Sequence, residues 1–258
     1  MVKRIVLFVA VALVCGAGTA AEYALSFKQG LLFVPAGTGR LSVQTTNLLG
    51  RTVQAHTLAF KAASLVDAVY HLDTRLTTYL LDDGRPLAYE KHAEEGARVY
   101  SEASAFVHAP TGGCTVVSRR TVRGGAVERA RNTRPGPVFD LLSVCEYARA
   151  RVASETPKKG WKIPVSVVSG VKVRDCELVY EGDETEKTDK GEKISCRVFS
   201  LEVGTGDDRR GSAKFWIGQA APQPIVLIEL ALKFGCIRVR LVDARGDGAD
   251  ELTGGGGF

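Results

Sequence analysis

Residues 138–150, VFDLLSVCEYARA, decide the fold, because they carry the clearest helical pattern in a chain whose other segments alternate like strands. Pro135 and Pro137 precede the first turn, where proline is tolerated. Asp140 lies near the positive end of the helix dipole and Arg149 near the negative end. The apolar side chains recur at helical spacing and form one stripe: Val138, Leu141, Leu142, Cys145, Ala148 and Val152. A helix of about 13 residues is marginal alone in water, so we expect its stripe to pack against a sheet.

Strand patterns surround this helix on both sides. Within residues 114–134, Gly124 and Gly125 separate two alternating runs, which is a strong hairpin signal. Residues 224–244 form a similar pattern with a turn near Gly235. The chain holds about a dozen such runs at close spacing and shows no fixed repeat, which favours an antiparallel barrel or sandwich over a propeller. We therefore expect an all-β fold, mainly antiparallel, in which a strongly curved sheet or incomplete barrel holds the main helix on its concave side.

The first 21 residues have the layout of a secretory signal peptide. Lys3 and Arg4 precede an apolar run over residues 5–14, and small residues follow up to Ala20 and Ala21, after either of which cleavage is expected. The apolar run is too short to span a bilayer as a helix. A lipoprotein with a lipidated Cys15 is disfavoured, because Val14 stands where a small residue is needed.

The rest of the chain is expected to be one exported domain. Residues 22–245 carry the strand patterns and the helix, whereas residues 246–258 are rich in glycine and predict a flexible tail. No later segment is long and apolar enough to cross a membrane. We therefore expect a periplasmic or outer-envelope protein with no transmembrane segment in its mature chain.

Composition indicates a globular protein and excludes few partners. Hydrophobic residues make up 45% of the 258 residues and charged residues 24%, which argues against disorder of the whole chain. The net charge of +5 is mildly basic. An exported protein without aromatic residues among its basic ones is poorly suited to nucleic acid, so no nucleic-acid partner is expected.

Catalytic and metal-binding motifs are absent from the sequence. It holds no G-x-S-x-G elbow, no H-E-x-x-H and no P-loop, and none of its four histidines is spaced for a helical metal pair. We therefore assign no catalytic residue, no cofactor and no metal ligand, and expect a protein that is not an enzyme.

Two cysteines are candidates for a disulfide. If the hairpin around them is symmetric about residue 186, Cys176 and Cys196 face each other on one apolar face, and an exported protein permits the bond. Directly opposed strand positions strain such a bond, and the long loop does not fix the register, so unpaired thiols are the alternative.

The hairpin within residues 114–134 is rich in arginine. Its turn places Arg120 opposite Arg129, and facing like charges are unfavourable unless they are solvated or bound by an anion. An acidic partner, such as a lipid head group or an anionic polysaccharide, is therefore one interpretation, and a solvated hairpin is the other. The candidate contacts are Arg119, Arg120, Arg123, Arg129 and Arg131.

Much of the chain resembles the secreted bacterial family known as domain of unknown function 3108. The resemblance is carried by EYALSFKQGLLFVPAGTGRLSVQT, VFDLLSVCEYAR, KKGWKIPVSVVSG, CELVYEG, CRVFSLEVG and AKFWIGQAAPQPIVLIELALKFGCIRVRL, in this order. The usual pattern has an acidic residue after the FWIG strand and Arg or His before the proline, whereas Gln219, Ala220 and Ala221 stand here. The resemblance implies an exported, antiparallel, barrel-like protein without a known activity. A more distant similarity of fold links it to periplasmic lipoprotein carriers, which hold acyl chains in an unclosed barrel under helices.

Three functions remain open from the sequence. In the first, the concave face under the helix binds or carries an apolar or amphipathic envelope molecule, lined by Leu141, Leu142, Cys145, Phe215 and Ile217. In the second, the protein is a structural or assembly factor of the envelope that contacts a protein or an anionic polysaccharide. In the third, it is an envelope hydrolase, for which the catalytic groups are missing. A large apolar cavity favours the first function and a filled interior the second.

Overall fold

The computed structural model describes residues 19–29, 32–67, 71–154, 157–204, 210–231 and 235–243. The first half of the chain forms β1 (Thr19–Gln29), β2 (Leu32–Leu48), β3 (Arg51–Ala62), α1 (Ser64–Asp67), β4 (Leu72–Leu80), β5 (Pro86–Glu95), β6 (Arg98–His108), β7 (Cys114–Val122) and β8 (Val127–Arg134). The second half forms β9 (Val138–Phe139), α2 (Leu141–Ser154), β10 (Lys162–Ser169), β11 (Lys172–Lys187), β12 (Lys193–Val203), β13 (Arg210–Gly218), β14 (Ile225–Ala231) and β15 (Cys236–Leu241).

All of these strands belong to one sheet. Its order is β8-β7-β6-β5-β4-β3-β2-β1-β15-β14-β13-β12-β11-β10-β9. The first meander, β1 to β8, therefore meets the second, β9 to β15, where β1 pairs with β15. Every neighbouring pair is antiparallel except β9 and β10, which are parallel. The prediction of an all-β, mainly antiparallel, curved sheet with one main helix is confirmed, with 15 strands in the described residues.

The two ends of the sheet approach each other and nearly close it into a barrel. Side chains of β8 reach the turn and strand at the other end: Asn132 Nδ2 donates to the carbonyl of Val171 at 3.2 Å, and Arg134 Nη2 donates to that of Val173 at 3.2 Å. Arg134 also forms an ion pair with Asp175 at 3.0 Å. Side chains rather than a backbone ladder therefore hold this seam together.

The main helix begins later than the sequence predicts. Val138 and Phe139 form β9, which pairs with Ser166 and Val167 of β10. Asp140 ends this strand and caps the helix, because its Oδ1 accepts hydrogen bonds from the backbone N–H groups of Leu142 (2.9 Å) and Ser143 (3.1 Å). The prediction of helix from residue 138 is thus wrong for its first residues, because Val138 and Phe139 pair with β10 and the helix begins only after the Asp140 cap.

Helix α2 lies inside the curled sheet and connects its two halves. Leu142 packs in an apolar cluster with Leu58, Tyr89 and Phe106 of the first meander. Cys145 packs with Phe215 and other residues of the second meander. Ser143 and Val144, which lie outside the predicted stripe, are also buried, so more of the helix surface is enclosed than one stripe requires.

The predicted disulfide between Cys176 and Cys196 is wrong. Cys176 lies opposite Val203 and Cys196 lies opposite Glu184, and both are free thiols. The tight turn of this hairpin lies between Lys187 and Lys193, and a bulge follows Tyr180, so the hairpin is not symmetric about residue 186. The bulge also places the two cysteines in separate apolar clusters.

Some predictions concern residues outside the described part of the chain. These are most of the signal peptide, including Cys15, and the tail over residues 246–258. The last residues of the predicted signal peptide, Thr19 to Ala21, are the first of β1 and pair with Val43 to Leu41. Among the described residues, no helix combines the length and apolarity needed to cross a bilayer.

Candidate ligand-binding cavity

A cavity of about 1,020 Å³ lies inside the barrel at the end where α2 begins. Leu141, in the first turn of the helix, forms part of its wall. Both meanders supply the remaining lining: Leu76, Tyr89, Lys91, Tyr100, Glu102 and Arg120 from the first, and Val167, Val168, Ser169, Gly170, Arg174, Cys176, Leu201, Val203, Gly204, Gly211, Ala213, Leu230 and Ala231 from the second. Its volume is at the upper end of the range of roughly 300–1,000 Å³ typical of small-molecule sites.

The wall formed by β12, β13 and β14 is apolar. Leu201 lies opposite Ala213, and Ala213 lies opposite Leu230, so these three side chains form one row across the strands. Gly211 and Ala213 are too small to reach across the interior, which leaves the space open. This wall suits a hydrocarbon chain, because burying apolar surface there requires no polar group of the protein to lose water.

The opposite wall carries a row of charges. In register across β4 to β7, Leu76 lies opposite Lys91, Lys91 opposite Glu102, and Glu102 opposite Arg120. These positions continue the inward-facing alternation of each strand, since the buried Tyr89 and Ser104 stand two residues away from Lys91 and Glu102. Cross-strand neighbours of opposite charge stabilise each other, which accounts for the alternating signs of the row.

Tyr100 connects the two cations of this row. Lys91 Nζ donates to the hydroxyl of Tyr100 at 2.7 Å, and that hydroxyl donates to Glu95 Oε1 at 2.9 Å. The guanidinium of Arg120 lies 5.1 Å from the centre of the Tyr100 ring, which is a cation–π contact. Burial by itself would lower the pKa of Lys91, but Tyr100 and Glu95 together raise it, so Lys91 is cationic at neutral pH.

Arg120 and Glu102 meet the turn that closes the seam. Arg120 Nε lies 3.4 Å from Glu102 Oε1, close enough for an ion pair. The other oxygen, Oε2, accepts a hydrogen bond from the backbone N–H of Gly170 at 3.2 Å. Arg120 Nε is nevertheless a buried nitrogen with no hydrogen-bond acceptor among the described residues. The charged wall therefore contains a donor that the protein itself does not satisfy.

The predicted lining residues are divided between the cavity and the core. Leu141 borders the cavity. Leu142, Cys145, Phe215 and Ile217 do not border it and are buried in packed clusters. The helix occupies the space that Phe215 and Ile217 face, and its own Leu142 and Cys145 pack against the strands.

The predicted arginine surface is divided between the two faces of the sheet. Arg120 points inward, whereas Arg119, Arg123, Arg129 and Arg131 are exposed. The predicted pairing of Arg120 with Arg129 is wrong: Arg119 lies opposite Arg129, and Arg120 lies opposite Glu128. The turn has four residues between Val122 and Val127, which shifts the register by one position and reverses which side chains share a face.

A smaller cavity of about 290 Å³ lies at the other end of α2. His56, which is 2% exposed, places Nδ1 3.4 Å from Glu146 Oε1 there, and Arg149 Nε donates to Glu146 Oε2 at 2.8 Å. Burial alone would raise the pKa of Glu146, but His56 and Arg149 together lower it below its usual value. This cluster fixes the C-terminal half of the helix to β3.

The lining of the large cavity includes one thiol among the described residues. This is Cys176, and burial raises its pKa to about 11, so it is protonated and a weak nucleophile at neutral pH. No histidine is among the described residues that line this cavity. Within the part of the chain that the structure describes, no three His, Cys, Asp or Glu side chains are grouped for a metal ion.

Sequence reasoning missed Lys91, Tyr100 and Glu102. Each occupies a position that alternates with buried residues, as Glu102 does with Ser104 and Phe106. A charged residue that continues a buried alternation is the signal that identifies such a position, but the pattern alone does not show which strands face each other.

Comparison with known proteins gives one family and a similar fold. The family described as "Protein of unknown function (DUF3108)" matches residues 22–242. No curated protein matches the chain significantly. The crystal structure of a β-barrel-like protein of domain of unknown function DUF1849 from Brucella abortus is similar, with a TM-score of 0.54, 11% sequence identity, and coverage of 88% of this chain and 96% of that chain. At this identity the similarity concerns the fold alone.

Proposed function

The chain belongs to the DUF3108 family, and from this premise we propose that it is an exported, non-enzymatic binding or carrier module of the cell envelope. Its ligand is an apolar or amphipathic molecule that occupies the cavity at the start of α2. Export is supported by the basic, apolar and small residues in the order typical of a signal peptide at positions 1–21.

The cavity of about 1,020 Å³ is the observation that carries the proposal. A hollow interior favours a carrier, and a filled interior favours a structural protein. A hollow of this size lined by Leu201, Val203 and Leu230 supports the carrier, since a hydrocarbon chain bound against these side chains gains dispersion contacts with them.

A non-enzymatic role is supported by the groups in the wall. Lys91 is engaged by Glu95 and Tyr100, and the thiol of Cys176 is protonated at neutral pH. Neither supplies the pairing of a nucleophile with a general base that hydrolysis requires.

Filling the cavity tests the proposal directly. The Val203→Trp variant places a large ring between the apolar wall and the helix, and its matched control is Val107→Trp on the exposed face of β6, where Val107 is 61% exposed. The probe is N-phenyl-1-naphthylamine, a neutral apolar dye that fluoresces when it leaves water. We expect the wild type and the control to bind the dye and Val203→Trp to lose at least tenfold in affinity.

The dye experiment can also contradict the proposal. Equal dye binding by all three proteins would place the dye elsewhere and contradict a cavity ligand.

Export is checked separately by N-terminal sequencing of the protein from the periplasmic fraction, where a mature chain beginning at Ala21 or Glu22 is expected. Recovery of the full-length chain in the cytoplasm would contradict it.

The outer face of the β7–β8 hairpin favours a second candidate function. Arg119 and Arg129 are exposed and directly opposite each other, and Arg131 extends the same face. Directly opposed cations are unfavourable unless they are solvated or bound by an anion, and an anion between these two would remove their repulsion. A structural or assembly factor would use this face for an acidic envelope protein or anionic polysaccharide. Retention on dextran sulfate resin that is lost in Arg119→Gln/Arg129→Gln would support this function, and unchanged retention would contradict it.

A further inference from the structure

We propose that the charged wall of the cavity is an anion-binding subsite, so that the ligand is a single-chain amphipath with a carboxylate or phosphate head group. This inference rests on the proposed binding function and specifies its ligand. Arg120 and Arg174 bind the head group, and the row of Leu201, Ala213 and Leu230 holds the chain.

The charge balance of the lining favours an anion. Three cations, Lys91, Arg120 and Arg174, face one carboxylate, Glu102. Lys91 is neutralised from behind by Glu95 at 3.2 Å, and Arg120 is partly neutralised by Glu102 at 3.4 Å. Arg174, which is exposed, forms no ion pair within the described residues, so the described part of the lining has one positive charge in excess.

The donor that lacks an acceptor is Arg120 Nε, which lies beside Glu102 in the charged wall. Arg120 Nε is buried without an acceptor, because Glu102 uses one oxygen for the Gly170 N–H and offers the other only at ion-pair distance. Leaving a buried charged donor without an acceptor costs roughly 1–3 kcal/mol or more. Arg120 Nε itself is enclosed, but the Arg120 side chain is 34% exposed, so a carboxylate or phosphate oxygen in the cavity binds the accessible part of its guanidinium group, and charge-assisted bonds of this kind are the stronger ones.

The row of charges stabilises the sheet through its cross-strand pairs, but the second meander shows that the barrel also accommodates apolar residues at such positions. Leu201 lies opposite Ala213, and Ala213 lies opposite Leu230. An ion pair removed from water is no more stabilising on average than apolar side chains of similar volume. Cross-strand pairing therefore accounts for the alternating signs of the row, and an anionic ligand accounts for placing charges in the cavity wall at all.

The opposed walls also determine how the ligand lies. A head group at Arg120 is beside the seam, at the turn around Gly170. The chain then crosses the interior toward β12–β14, where Gly211 and Ala213 leave room for it. A neutral head group would leave the guanidinium groups without an anionic partner, and a cationic one would be repelled by them, which is the basis of selectivity against such ligands.

Isothermal titration calorimetry with four C12 probes tests the inference: dodecanoate, dodecyl phosphate, 1-dodecanol and dodecyltrimethylammonium. We expect the wild type to bind either anion at least tenfold more tightly than the alcohol, to lose that preference as salt is raised, and to bind the cation most weakly. A preference for dodecanoate identifies a carboxylate ligand and a preference for dodecyl phosphate a phosphate ligand, and either supports the proposal.

Two variants locate the preference in the cavity. Arg174→Gln should weaken anion binding roughly tenfold or more and leave the alcohol unchanged, as expected for loss of a hydrogen bond to a charged group. Arg120→Gln/Glu102→Gln replaces the ion pair with a neutral pair of similar shape, so folding is preserved while the subsite is removed. Arg51→Gln, at the exposed start of β3, is the matched control and should bind like the wild type.

The outcomes separate this inference from the proposed function. If every C12 probe binds with equal affinity and neither variant changes it, the anion subsite is refuted while the cavity function stands. If no C12 probe binds and the dye also fails, the proposed function itself is refuted.

Discussion

The barrel interior is packed around Cys145 and Ala148 of α2, with a smaller cavity of about 290 Å³ beside Glu146, and is hollow where the helix begins. The same strands form the packed end and the hollow end. Around Cys145 and Ala148, β12 and β13 contribute Phe199, Phe215 and Ile217, all fully buried. Toward the start of the helix, the same two strands contribute Leu201, Val203 and Ala213 to the wall of a cavity of about 1,020 Å³. The packed end and the hollow end therefore differ by side-chain size over only a few residues of each strand.

This difference shows how one fold separates stability from binding. At the packed end, helix and sheet fill the interior, and each lost methylene leaves a void that the structure cannot close. At the hollow end, small residues and a row of charges replace the large apolar side chains. The arrangement predicts that substitutions at the packed end mainly lower stability, whereas substitutions at the hollow end mainly change ligand binding.

The largest expected difference comes from truncating one side chain at each end. Phe215→Ala should lower the free energy of unfolding by roughly 3–5 kcal/mol, because it opens a void in the packed cluster. Val203→Ala should lower it by less than about 1 kcal/mol, because its side chain already borders a void. Urea unfolding followed by tryptophan fluorescence measures both. Equal losses would show that the two ends are packed alike.

Enlarging an alanine at each end tests the same contrast in the other direction. Ala148→Leu should cost roughly 1–3 kcal/mol, because the packed end has no room for three more carbons. Ala213→Leu should leave stability unchanged or raise it by about 0.5–1 kcal/mol while weakening dye binding, since it fills part of the cavity. Thermal unfolding and dye titration on the same samples measure both effects. A destabilised Ala213→Leu with normal dye binding would contradict the hollow end.

The Glu146 cluster makes the packed end sensitive to acid. Because His56 and Arg149 lower the pKa of Glu146 below its ordinary value of 4.5, this carboxylate stabilises the fold above that pH and the contribution is lost as the pH falls through its folded pKa. The wild type should therefore have a higher free energy of unfolding than Glu146→Gln at about pH 6, and this difference, the gap, should narrow toward about pH 3. Urea unfolding at several pH values measures the gap. A gap that is constant or widens in acid would contradict this account.

The smallest expected effect concerns the thiols. Cys176 and Cys196 are free, and burial raises the pKa of each to about 11. Alkylation of the folded protein should be slow at both positions and complete after unfolding without a reductant, as mass spectrometry of the peptides would show. The double variant Cys176→Ser/Cys196→Ser is the control, and alkylation of its remaining cysteines after unfolding should be the same with and without a reductant. A crosslinked peptide joining the two residues would overturn the register of β11 and β12.

Sequence patterns predicted the architecture because alternation and turn residues are local signals. The antiparallel strands and the enclosed helix follow from neighbours within a few residues, whereas the cap at Asp140 was not predicted, because the helix was expected to begin at residue 138. The cavity wall could not be predicted as well, because it depends on registers between distant strands. A four-residue turn moved Arg120 away from Arg129, and a bulge after Tyr180 separated Cys176 from Cys196.

The division of the predicted lining has the same cause. Leu141 and Leu142 are adjacent in the stripe, yet one borders the cavity and the other is packed. Phe215 and Ile217 share a strand face with Ala213, and only the position of α2 along the barrel decides which of them meets empty space. Periodicity indicates which side chains face inward but not whether another element fills the space beyond them.

The most direct test of the hollow end is a crystal structure of the protein grown with 12-bromododecanoate, whose bromine is located by anomalous scattering. The account predicts one strong bromine peak between α2 and the row of Leu201, Ala213 and Leu230, with the carboxylate beside Arg120 or Arg174. Bromine found only on the outer surface of the barrel, with the interior closed by side chains, would contradict it.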